Sequence, residues 1–78
     1  MTVYTQPGCT QCVMTKKLLD REQISYQEID ITRDPEALHH VKHDLGYQAA
    51  PVVTITRNGD IVRDWYGFRE DLIKGIHS

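Results

Sequence analysis

The rhythm of apolar and polar positions changes repeatedly along this 78-residue chain, and each change marks an element. Met1 to Tyr4 is a short β-prone run, broken by Gln6-Pro7-Gly8. Beyond the break Met14, Leu18 and Leu19 recur at helical spacing, which predicts a helix with Cys9 at its N-terminal edge. The stretch ISYQEIDI, residues 24–31, alternates as a half-buried strand does. DPEALHHVKHDLG then carries the punctuation of a second helix: Asp34 as cap, Pro35 at the first helical position and Gly46 just past the end. Ala37, Leu38, Val41 and Leu45 mark its buried face. PVVTITRNGDIVRDW, residues 51–65, reads as a hairpin, because Asn58-Gly59 tolerates positive φ at both centres of a type I′ turn. A last helix is predicted over 69–76, with Glu70 and Asp71 in its first turn, where the helix dipole favours negative charge.

The predicted order is β-α-β-α-β-β-α, an α/β fold with a four-stranded mixed sheet flanked by three helices. A strand-helix-strand opening gives a parallel pair, and the hairpin adds antiparallel strands. No repeat, low-complexity tract or linker interrupts the chain, so residues 1–78 are expected to form one domain. At this length folding hides only about 60–65% of the unfolded chain's surface, which means a thin core.

Composition narrows the class. Hydrophobic residues make up 40%, charged residues 26%, and the formal charge is −2, so no basic surface awaits a nucleic acid. The opening MTVYT has no basic-then-apolar leader, and no apolar run approaches the roughly 20 residues of a membrane span. A cytoplasmic monomer is expected, with no nucleic-acid or membrane partner.

The chemistry rests on Cys9 and Cys12, the only cysteines. Three readings compete: a structural disulfide, half of a zinc site and a working thiol pair. A staple between residues three apart closes too small a loop to stabilise much. Zinc has a superficial case, since His39 and His43 form an i, i+4 pair. On a helical wheel, however, that pair falls opposite the Leu38, Val41 and Leu45 stripe and points to solvent. A helix start, by contrast, offers Cys9 free backbone N–H groups and the positive end of the dipole. In such settings a thiol pKa falls from about 8.5 toward 7. Cys9 is therefore expected to be the nucleophile, and Cys12, one turn further in, the resolving thiol. No bound metal or organic cofactor is required.

GCTQC after the first strand, QAAPVV leading into the third and WYGFREDL opening the last helix together resemble the NrdH-redoxins, in the glutaredoxin-like branch of the thioredoxin superfamily. The likeness spans essentially the whole chain. It implies a thioredoxin-type fold in which Pro51 is cis and lies beside the cysteines. The backbone of Ala50 is then left to pair with a substrate segment. It also implies that Trp65, Gly67, Phe68 and Arg69 shape a docking surface. The expected function is a dithiol electron carrier that uses NADPH indirectly, through thioredoxin reductase, and donates to class Ib ribonucleotide reductase. The alternatives are a glutathione-dependent glutaredoxin and a zinc-binding or structural module. Two departures stand out: Tyr66 where the family usually has serine, and Gln6 where a lysine or arginine is common. Phe68 occupies the stretch where glutaredoxins grip glutathione, and Gln6 brings no charge to that grip. Arg69 and Asp71 keep the glutathione reading open.

Overall fold

The computed structural model describes residues 1–77. Its strands are β1 (Thr2–Thr5), β2 (Gln27–Asp30), β3 (Val52–Arg57) and β4 (Asp60–Tyr66). Its α-helices are α1 (Thr10–Arg21), α2 (Pro35–His39) and α3 (Glu70–Lys74). The sheet order is β2-β1-β3-β4, with β1 parallel to β2 and the other neighbours antiparallel. The expected four-stranded mixed sheet with three helices is therefore present, in the expected order.

Strand alternation divides the core in two. Val3, Val53 and Trp65 are cross-strand neighbours and share one face, packed with Leu18 and Leu19 of α1 and Ile73 of α3. Tyr4 and Val52 point the other way and meet Ile31, Ala37 and Val41. One residue of register slip would exchange the two sets, which is why a two-faced sheet specifies its register strongly. The hairpin turn is as anticipated, with Asn58 at φ 56° and Gly59 at φ 85°.

Four elements differ from the sequence expectation. The second strand is shorter than residues 24–31, because Ile24 N–H donates to Leu19 O and is spent on the C-terminus of α1. In α1 the buried stripe is Cys12, Thr15, Leu18 and Leu19. Met14 is 42% exposed, and Thr15 fills the position the hydrophobic pattern would give to an apolar residue. The second helix runs α-helical only to His39, and His40–Asp44 is wound as a π-helix, with Leu45 N–H donating to His40 O five residues back. The wider turn keeps Ala37 and Val41 buried and leaves Leu38 and Leu45 half-buried. The last helix is α-helical over Glu70–Lys74 and tightens to a 3-10 turn at Gly75–His77. No helix among the described residues is long and apolar enough to cross a membrane.

Candidate active site

Beyond β1 the chain turns through Gln6-Pro7-Gly8, with Gly8 at φ 73°, and enters α1 at Cys9. Cys9 is the N-cap, a position usually held by Ser, Thr, Asp or Asn, whose side-chain oxygen accepts from a first-turn N–H. Here a sulfur takes that role: Cys12 N–H donates to Cys9 Sγ at 3.1 Å. A backbone donor and the positive helix end both favour negative charge on that sulfur. Cys9 and Cys12 are joined as a disulfide, their Cα atoms 5.2 Å apart. Cys9 is partly exposed whereas Cys12 is 2% exposed, so the first residue of the pair is the one open to solvent.

The segment before β3 closes over this helix end. Ala50-Pro51 is cis, and Ala50 O lies 3.7 Å from Cys9 Sγ. Pro51 O accepts from Gly67 N–H at 2.8 Å, which ties the turn after β4 to the proline. Gly67 sits at φ 88°, a conformation L side chains rarely adopt, and a Cβ there would stand 3.3 Å from Gln11 Oε1. That same Oε1 accepts from Phe68 N–H at 3.1 Å. The middle of the C-T-Q-C motif is thus bonded to the turn that follows β4. Gln11 was not among the residues singled out from sequence: an exposed polar residue in a first turn carries no periodic signal, and its partner is 57 residues away.

The other expected docking residues separate. Trp65 is 4% exposed and packs with Val3, Val53 and Ile73, so it belongs to the core and offers no contact surface. Its parity on β4 points it at α1 and α3, and among the described residues its Nε1 has no hydrogen-bond partner. Phe68 is half-buried against the same cluster. Arg69 is exposed and held by both carboxylate oxygens of Asp71, at 3.2 and 3.0 Å, which keeps the Asp71 carboxyl below its usual range. Ala50 is therefore the member brought against the disulfide, Pro51 and Gly67 are joined to each other beside it, and Phe68 is tied to Gln11 between the cysteines.

On the other side a cleft of about 420 Å³ adjoins the pair, bounded by the Gln6-Pro7-Gly8 turn, Cys9, Cys12, Lys16 and Glu28. Glu28 accepts from Lys16 Nζ at 3.0 Å and from Thr5 Oγ1 at 2.9 Å. These bonds, the lysine's first, hold its carboxyl below the ordinary value of 4.5. His39 and His43 are exposed with ring centroids 4.4 Å apart. Among the described residues no three of His, Cys, Asp or Glu gather as metal ligands.

The glutaredoxin family model matches residues 1–62. The glutaredoxin-like protein NrdH of Escherichia coli strain K12 is 34% identical over 77 residues, covering 99% of this chain and 88% of that protein. NrdH of Lactococcus lactis subsp. cremoris is 43% identical over 54 residues, covering 69% and 74%. The solved NrdH-redoxin from Escherichia coli superposes with a TM-score of 0.83 at 32% identity, over 99% of this chain and 93% of that one. The thioredoxin-type fold, the paired cysteines and these near-full-length matches establish that the chain belongs to the glutaredoxin family, as a redox protein of the NrdH-redoxin type.

Proposed function

We propose that this chain is a dithiol electron carrier, reduced by thioredoxin reductase at the expense of NADPH and donating to a class Ib ribonucleotide reductase. The observation that carries the reading is the asymmetry of the pair: a partly exposed sulfur capping α1 and a buried one behind it. In the forward half-cycle Cys9 thiolate attacks one sulfur of the client disulfide. A Cys9–client bond forms, and the other client sulfur leaves as a thiolate that takes a proton from water. Cys12, losing its proton to water, then attacks Cys9 Sγ. The Cys9–Cys12 disulfide forms, and the second client sulfur leaves. Two electrons have passed to the client, and the reductase returns two from NADPH.

Two features support a dithiol carrier over a glutathione-linked one. Gln6 brings no charge beside the disulfide, and Arg69 is occupied by Asp71. The solved Escherichia coli relative is described as having a thioredoxin-like activity profile, which favours the same donor here.

The test is NADPH oxidation during disulfide reduction, run with thioredoxin reductase and, in parallel, with glutathione plus glutathione reductase. Turnover with the first system alone is expected, followed by electron delivery to the ribonucleotide reductase. Turnover with the second alone would make the chain a glutathione-dependent glutaredoxin. Silence in both, with active reductases, would return the question to metal binding or a structural role.

A further inference from the structure

A second feature of the surface lies one turn of helix away from the cysteines. Met14 and Leu18 of α1 and the ring of Phe68 line a groove of about 180 Å³, rimmed by Lys17, Arg21 and Glu70. The floor is open, since Met14 is 42% exposed and Phe68 is half-buried. The groove's wall is fixed to the redox site by the bond from Phe68 N–H to Gln11 Oε1, two residues past Cys9.

The charges at its rim run against those of the whole chain. The formal charge overall is −2. At the groove itself stand two cations, Lys17 and Arg21, and one anion, Glu70, which feels the charge of Arg21 and is bound at 2.8 Å to Lys74. Among the described residues Lys17 makes no ion pair. Lys17 and Arg21 are an i, i+4 pair on one face of α1, so two cations stand side by side over an apolar floor. Met14 lies five positions beyond Cys9, roughly 7 Å along the helix axis, a span that an extended peptide covers in two to three residues.

Building on the reading that this chain reduces protein disulfides, we propose that the groove docks the segment flanking the client's reacting cysteine. That segment carries an apolar side chain for the Met14, Leu18 and Phe68 floor and carboxylates for Lys17 and Arg21. Complementary charge speeds encounter and fixes orientation, which gives selectivity among clients whose disulfides are chemically alike.

The experiment uses the reduced protein and synthetic peptides whose single cysteine is disulfide-linked to 2-mercaptoethanol. A phenylalanine stands three residues after the cysteine and two glutamates follow it; in a second peptide lysines replace the glutamates. Exchange is quenched with acid and read by mass spectrometry, with bis(2-hydroxyethyl) disulfide as the neutral reference. The glutamate peptide is expected to react about tenfold faster than the lysine peptide, the size of two modest surface ion pairs. Lys17→Glu/Arg21→Glu should erase that preference. Arg57→Glu/Arg63→Glu, with the same change in net charge on the far hairpin, should keep it. Equal rates for the two peptides, or equal loss of preference in both variants, would overturn the proposal. Failure to reduce the neutral reference would instead remove the disulfide-reductase reading on which it rests.

Discussion

On one face of the sheet Val3, Leu18, Leu19, Val53, Trp65 and Ile73 close into an apolar cluster that touches neither cysteine. On the other, Tyr4, Ile31, Ala37, Val41 and Val52 form a cluster that runs on into Cys12 and Ala50, with Cys9 packed at its edge. The first contains four fully buried side chains, Val3, Leu19, Val53 and Ile73, against two, Val41 and Val52, in the second. The second is backed by a helix that changes its winding halfway along. The contrast separates two tasks. Apolar bulk under α1 and α3 holds the chain folded, and the thinner layer under α2 holds two sulfurs and a carbonyl in place. A substitution in the first should lower stability and leave the chemistry of each folded molecule alone, while one in the second should disturb both.

The largest effect is expected at the end of the second cluster. Cys9→Ser should abolish disulfide reduction, whereas Cys12→Ser should accept one attack and hold the partner as a mixed disulfide, visible as a mass increment that dithiothreitol removes. Retention of most activity by Cys9→Ser would reverse the assignment of the nucleophile.

Paired truncations test the contrast itself. Leu19→Ala empties a fully buried site and should cost about 2–5 kcal/mol in urea unfolding, with the exchange rate of the folded fraction unchanged. Val41→Ala should cost about 2 kcal/mol and also shift that rate, because its cluster reaches Cys12. If Leu19→Ala changed the rate and Val41→Ala did not, the division of tasks would be wrong.

The turn beside the site is expected to respond more modestly. Gly67→Ala puts a side chain at φ 88° and displaces Gln11 Oε1, for a cost of about 1–2 kcal/mol in unfolding. Gln11→Ala removes only the acceptor for Phe68 N–H, about 0.5–1.5 kcal/mol, and should slow exchange with a protein disulfide more than with a small neutral one. Equal slowing of both would mean that Gln11 acts on the cysteines and not on docking.

What could be read from the sequence had local causes. Asp34 caps α2 through Ala37 N–H at 3.1 Å, Pro35 opens that helix, and Asn58-Gly59 turns the hairpin, because each signal lies within a few residues of its effect. The pair at the helix start was legible for the same reason, since Cys9 and the N–H it accepts from are three residues apart. Contacts made across the fold left no such trace. Trp65 is as compatible with a surface as with a core until the pairing of β4 with β3 fixes its face. Gln11 gains its role from Phe68, and Arg69 is spent on Asp71 by a side-chain geometry that spacing alone does not specify. The π-wound segment has the apolar spacing of an ordinary helix, and its winding shows only in backbone bonds such as that of Leu45 N–H to His40 O.

The smallest effect concerns a polar link outside both clusters. Glu28 on β2 joins Thr5 at the end of β1 to Lys16 on α1, beside the cleft that adjoins the disulfide. Its folded carboxyl titrates below 4.5, chiefly through the Lys16 bond and then through Thr5. A depressed carboxylate contributes stability that is fully present above its unfolded value and is lost as pH falls through its folded one. Acid should therefore loosen the link only below pH 4.5, on a partly exposed pair whose contribution solvent screens. Lys16→Met removes the larger cause and Thr5→Val the smaller. Urea midpoints measured from pH 6 down to pH 3 should fall less steeply in Lys16→Met than in Thr5→Val, and least of all in the double variant. Identical slopes in all of them would mean that the link adds nothing to folding, leaving the two apolar clusters to account for the attachment of α1 to the sheet.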